Sequence, residues 1–155
     1  MLGAPALASK GALQRCRANT SDNAKQRGPD HSAWMQDFRR LHVWAKAHAL
    51  AINTLRVAKK MRASETVSLR AQIVRAAMSV PTNIVEGRAQ RSDPQFARFL
   101  KIALGSATEL EYHLVLASDI NAVNRSDFDR IIGEVVDVKK MLVGLIKSLE
   151  TTRAK

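Results

Sequence analysis

The chain has almost no cysteine. Cys16 is its one thiol among 155 residues. An intrachain disulfide and a cysteine-built metal cluster are therefore excluded, and a cytoplasmic protein is the expectation. Aromatic residues make up only 5%, so any core must be aliphatic and alanine-rich. With 4 prolines and 7 glycines, the chain has too little turn chemistry for a β-sandwich, which would also want more β-branched and aromatic residues. No apolar run approaches the roughly 18 residues of a membrane span. The first 33 residues show no apolar stretch of the kind a secretory signal needs. No His-Glu-x-x-His, Walker or glycine-rich phosphate loop occurs, and no cofactor is implied.

Acid is the other shortage. Lys and Arg number 25 against 14 Asp and Glu, for a net charge of +11. The excess is localised. Residues 1–37 carry +2, residues 38–92 carry +9 and residues 93–155 carry none. Concentrated positive charge is the electrostatic footprint of a polyanion partner. A solvated, solubilising face is the plainer alternative.

Hydropathy supplies the fold. Apolar residues reach 46%, enough for one domain of this length. Residues 1–34 are rich in Ala, Ser, Asn, Gly and basic residues without sustained period. They read as a disordered extension, or as the product of a start assigned upstream of Met35. From 35 to 151 four helical patterns follow. The first, about 37–62, places Leu41, Trp44, His48, Ala51, Leu55 and Ala58 on one face. Arg39, His42, Lys46, Asn53, Arg56 and Lys60 fall opposite. The second, about 66–87, has a narrow face of Ile73, Ala76, Ala77, Val80 and Ile84, with Pro81 expected to kink it and Gly87 to stop it. The third, about 93–120, opens with Ser92 and Gln95 as a capping box. It repeats Phe96, Leu100, Ala103, Ala107, Leu110, Leu114 and Ala117 in strict heptads. The fourth, about 126–151, starts at Ser126 and repeats Ile131, Val135, Val138, Leu142, Leu145 and Leu149. Short connections favour antiparallel neighbours. The expected fold is all-α: an antiparallel up-down-up-down four-helix bundle with a kinked second helix.

One segment exceeds what bundle periodicity requires. Gln72, Arg75-Ala76-Ala77, Ser79-Val80-Pro81, Asn83-Ile84 and Glu86-Gly87 follow one another across the second helix. Arg91, Phe96–Ala103 and Gly105–Glu111 continue the pattern, and Phe38–Trp44 opens it. Over about 37–150 the chain resembles the four-helix-bundle proteins encoded in 23S rRNA intervening sequences. The resemblance implies a compact four-helix subunit. It also implies likeness to the accessory proteins of diversity-generating retroelements, which form barrel-like homopentamers and bind nucleic acid and a reverse transcriptase. The intervening-sequence members themselves have no established biochemical activity.

Two readings of the residues follow. In the first, the chain is a non-enzymatic homo-oligomer that binds RNA or DNA through phosphates. Arg39, Lys46, Arg56, Lys59, Lys60, Arg62, Arg70, Arg88 and Arg91 are its candidate contacts. Trp34 and Trp44 alone could stack on bases, and Trp44 reads as core. In the second, the chain is a protein-interaction module whose charge serves solubility. Apolar residues off the seam of the third helix, namely Ile102, Leu104, Val115 and Leu116, suggest a partner surface under either.

The signature residues Gln72, Arg75, Ser79, Pro81, Asn83, Glu86, Gly87 and Glu109 read first as structural or as a subunit contact. Arg75 would pair with Glu109. Ser79 or Asn83 would serve backbone groups freed by Pro81. A ligand-facing role is the alternative. The histidines, His31, His42, His48 and His113, make no catalytic or metal set. Glu109 and His113 are one turn apart, but the repeated Glu-x-x-His of di-iron bundles is missing.

Overall fold

Four helices form where the four periodic segments lie. In the computed structural model, residues 38–90 and 92–153 are described. The expected extension, 1–34, lies outside them. Helix α1 is His42–Ala58, α2 is Val67–Arg88, α3 is Asp93–Asp119 and α4 is Arg125–Arg153. Short 3-10 turns, Phe38–Arg40 and Ser64–Thr66, precede α1 and α2. The described residues are all-α, without a strand.

Each helix packs on the next in sequence, and α1 packs on α4. Paired residues give the registers. Asn53 reaches Glu134 at 3.0 Å and Lys60 reaches Asp127 at 2.7 Å, tying α1 and its exit to α4. Ser79 meets Ser106 across α2 and α3 at 2.8 Å. Glu111 with Lys139, and Lys101 with Glu150 at 2.8 Å, tie α3 to α4. Along α1 and α4, and along α3 and α4, the later residue of one helix meets the earlier residue of the other, so these two pairs run antiparallel.

The seam of α3 follows the heptads. Phe96, Leu100, Ala103, Ala107, Leu110, Leu114 and Ala117 are all buried. Truncating one of the fully buried leucines to alanine costs about 2–5 kcal/mol. Helix α2 buries Ile73, Ala76, Ala77, Val80 and Ile84 as expected, and Pro81 with them. In α4 the stripe drifts. Ile131, Val135, Val138 and Leu142 are buried, but the next buried residue is Ile146, while Leu145 and Leu149 are only partly covered. A straight α-helix slips about 20° per heptad against a seven-residue repeat, and over three heptads that moves the stripe by most of a residue.

Helix α1 corrects the sequence reading. Its buried residues are Val43, Ala47, Leu50, Ala51, Thr54, Val57 and Ala58. Trp44 and Leu55 are half-buried, and His48 is exposed. Of the expected face, Ala51 and Ala58 are buried as foreseen and Leu41, Trp44 and Leu55 are partly covered, but the core-facing side is centred on Val43, Ala47, Leu50, Thr54 and Val57. Its C-terminal end is also earlier than 62. Lys60 N–H and Met61 N–H bond three residues back, to Val57 and Ala58. That tightening ends the helix and turns Met61, 2% exposed, into the core.

The ends of the other helices differ in detail from expectation. Gly87 is no stop: α2 continues through it to Arg88, and no glycine has positive φ among the described residues. Ser92 is the N-cap of α3, but its side chain makes no capping hydrogen bond, so the expected box with Gln95 does not form. Helix α3 ends at Asp119, and two residues on, Asn121 has a φ of 57°. The N–H of Ala122 bonds the Ala117 carbonyl and that of Asn121 bonds Ser118, a Schellman closure with asparagine in the left-handed position. Asn124, rather than Ser126, caps α4, its Oδ1 accepting from Asp127 N–H at 2.9 Å.

Candidate nucleic-acid interface

The charge of the sequence becomes a property of one half of the bundle. Residues 38–92 carry the excess of nine positive charges, and they build α1, α2 and the connection between them. Helices α3 and α4 are assembled from a stretch with no net charge. Within the cationic half the candidates fall into two sets.

Arg39, Lys46, Arg56, Lys59 and Arg62 are exposed. Arg39 lies 5.6 Å from the centre of the Phe38 ring, and Arg56 reaches only its neighbour Asn53, at 3.3 Å. Lys59 and Arg62 flank the exit of α1, where the chain turns towards α2. The other described candidates have structural partners. Lys60 holds Asp127. Arg70, half-buried, donates to the Met61 carbonyl at 2.9 Å and so fixes the connection. Arg88, half-buried, sets its guanidinium 5.9 Å from the centre of the Phe96 ring. Arg91 lies outside the described residues.

Asp127 is the electrostatic centre of the α1–α4 contact. It is 8% exposed. Lys60 Nζ donates to it at 2.7 Å, Asn124 Nδ2 at 2.8 Å and Arg130 at 3.2 Å. The Lys60 hydrogen bond, then that of Asn124, lowers its pKa from 3.8 to about 2, against the opposing effect of burial. Its place in the first turn of α4 also suits the positive end of the helix dipole.

The signature residues do not form one buried network. Arg75 and Glu86 are exposed, and Gln72, Ser79 and Asn83 are half-buried. The expected Arg75–Glu109 pair is not made among the described residues; Glu109 instead approaches His113 Nε2 at 3.5 Å. Both side chains sit where water solvates them, so neither needs a buried partner. The Nδ1 atom of His113 is buried without a hydrogen bond. What does form is a short chain across α2 and α3. Asn83 Nδ2 donates to the Ser79 hydroxyl at 3.0 Å, and Ser79 and Ser106 share a bond of 2.8 Å. Ser106 in turn reaches the Ile102 carbonyl at 3.1 Å. Asn83 also serves the Ser79 carbonyl at 2.8 Å, and Thr82 serves that of Met78 at 2.9 Å. These are carbonyls beside the proline, not that of Ala77, which Pro81 leaves without its usual donor.

Sequence reasoning missed a surface in the same half of the bundle. The outer stripe of α1 and the facing side of α2 enclose an open trough of about 540 Å³. Trp44, His48, Ala51, Ile52 and Leu55 line one wall, and Met78, Pro81, Thr82, Val85 and Glu86 the other. Ile52 and Met78 are 37% and 51% exposed, so the trough presents apolar surface to solvent. The indole of Trp44 and the imidazole of His48 stack 5.0 Å apart at 11°, and Phe38 meets the indole edge-on at 4.8 Å. The signal was present as the regular spacing of Trp44, His48, Ala51 and Leu55. The same spacing also fits a core stripe, so it does not by itself mark a surface. A second apolar surface follows α3, where Ile102, Tyr112, Val115, Leu116 and Ile120 are exposed, while Leu104 packs against the core. Among the described residues, no group of His, Cys, Asp and Glu could hold a metal ion. No helix there is long and apolar enough to cross a membrane.

The comparisons with known proteins agree with this architecture. A crystal structure of a protein with unknown function from the S23 ribosomal protein family of Bacteroides thetaiotaomicron superposes with a TM-score of 0.64 at 27% identity. The match covers 68% of this chain and 98% of that one. No curated protein matches the chain. The family model described as 23S rRNA-intervening sequence protein matches residues 39–144, which runs from the turn before α1 into α4. On that match, and with four helices placed as the signature implied, the chain belongs to the 23S rRNA-intervening sequence protein family.

Proposed function

We propose that this protein is a non-enzymatic, homo-oligomeric binder of nucleic acid, working through phosphate contacts on its α1–α2 half. The observation behind this reading is the asymmetry of charge: +9 on the residues of one half and none on the other. Exposed Lys46, Lys59 and Arg62 are not held in ion pairs among the described residues, so they are free to neutralise phosphates. Contacts of this kind release counterions, and affinity falls steeply as salt rises. They carry little sequence information.

Self-association is assigned to the uncharged half. The exposed apolar residues of α3 lie there, and burying them against another subunit brings no cationic faces together. The family resemblance implies five subunits. The mass of the free protein in solution reads the number directly, and a monomer at all concentrations would remove this part of the reading.

A salt titration of RNA and DNA binding tests the main claim. Affinity should drop by orders of magnitude between roughly 50 and 200 mM salt. Undetectable binding at low salt, or binding that ignores salt, would end it.

One observation favours a second reading, a protein-interaction module. The trough between α1 and α2 is largely apolar, as partner surfaces often are. Under that reading, Lys59→Glu with Arg62→Glu leaves every interaction of the protein intact.

A further inference from the structure

The geometry points to an unpaired nucleobase as the occupant of the α1–α2 trough, stacked on the aromatic pair Trp44–His48. This inference rests on the nucleic-acid reading and names its substrate class: single strands rather than duplex.

The argument begins with the row of residues along α1. Trp44, His48, Ala51 and Leu55 follow one another up the same side of the helix. Trp44 and His48 are already stacked nearly parallel, with the imidazole exposed. The next residue in the row is Ala51, whose side chain is one methyl group. It is the smallest side chain in the row, between His48 and Leu55, and Met78 and Pro81 line the trough on the facing helix. A flat, apolar-faced group lying in the trough there would be the next layer of the Trp44–His48 stack.

Charge decides which part of a nucleic acid this is. Glu86 is exposed at the trough, and its carboxylate repels a phosphate. Apart from Glu86, the His48 imidazole and the Thr82 hydroxyl, which donates to the Met78 carbonyl, the lining is apolar, and a phosphate gains little from entering it. Phosphates belong instead on the exposed cations of the same half, such as Lys59 and Arg62. Aromatic platforms beside a cationic track are how proteins hold single strands without reading sequence. A base paired inside a duplex cannot turn out into the trough without first losing its partner. RNA and DNA share the chemistry invoked here.

The test uses the full chain carrying Trp34→Phe, which leaves Trp44 as its only tryptophan. It is titrated with four probes of about 12 nucleotides: single-stranded RNA, single-stranded DNA, an abasic strand and a DNA duplex. At least one of the single strands should quench Trp44 fluorescence and bind about tenfold more tightly than the abasic strand or the duplex. His48→Ala removes an exposed side chain and should weaken that binding about tenfold. The thermal midpoint and the slope of affinity against salt should not change, because stacking releases no counterions. Equal binding of the abasic strand overturns the inference while leaving phosphate binding standing. So does a His48→Ala protein that binds as the parent does. A fall in the mass of the free protein on His48→Ala would assign the trough to a subunit contact and would also overturn it. If none of the four probes binds, both this inference and the reading beneath it fail.

Discussion

A β-carbon placed on Gly87 would stand 2.6 Å from Cβ of Phe99 and 2.9 Å from the ring of Phe96. Helices α2 and α3 approach each other so closely there that only a hydrogen fits. The backbone of Gly87 is ordinary helix, so its conformational freedom is irrelevant. Gly87→Ala should therefore destabilise the protein, by about 1–3 kcal/mol, although alanine is the better helix former. A lower denaturant midpoint with an unchanged slope checks this. A more stable variant would show that the two helices separate easily.

The other helical glycines should respond in the opposite sense. Added β-carbons at Gly105, Gly133 and Gly144 meet nothing within 4 Å. Each alanine there should gain roughly 0.5–1 kcal/mol from helix propensity alone. The four variants together separate packing from propensity.

Asp127 sets a pH dependence. Its pKa is lowered in the folded protein, from 3.8 to about 2. The stabilisation it brings is thus complete above the unfolded value and is lost as pH falls towards the folded one. Its size is roughly 1–2 kcal/mol once solvent screening of the exposed Lys60 is allowed for. The stability difference between the parent and Asp127→Asn should be full at neutral pH and about halved near pH 3. A difference that stays constant down to pH 2 would mean that the charge of Asp127 contributes nothing.

The chain of hydroxyls between α2 and α3 makes a further prediction. Ser106 is 9% exposed and bonded to Ser79 at 2.8 Å. Ser106→Ala leaves the Ser79 hydroxyl without its partner, and Ser79→Ala does the converse. Each should cost about 1–2 kcal/mol, and the double variant less than the sum. Additive losses in a double-mutant cycle would show that the two hydroxyls do not act together.

How much of this was legible in the sequence depended on how many solutions each helix allowed. Helix α3 offers one apolar stripe, from Phe96 to Ala117, and it became the core without change. Helix α1 offers two, and nothing in the chain says which is enclosed until α2 and α4 are in place. The 3.6 spacing fits the row Trp44, His48, Ala51 and Leu55 as well as the row Val43, Ala47, Leu50 and Thr54, and of the first row only Ala51 is buried. Gly87 was read as a helix stop because that is where glycine is commonest; close approach of a distant phenylalanine leaves no local trace. The same holds for Asp127. Its neighbours Asn124 and Arg130 were visible nearby, but Lys60 is 67 residues away in sequence. The cationic candidates were legible as charges, not as free charges. Lys60, Arg70 and Arg88 turned out to have structural partners.

The central claim concerns place: nucleic acid meets the α1–α2 half, not simply a basic protein. Affinity for a single strand, measured against salt for two double charge reversals, tests it most directly. One is Lys59→Glu with Arg62→Glu. The other is Lys140→Glu with Lys147→Glu, also exposed but on α4. Both change the net charge by the same amount. The account predicts that the first lowers affinity at least about tenfold and flattens the salt slope by about 2, while the second changes little. Equal losses from both would show that only net charge matters, and would contradict it.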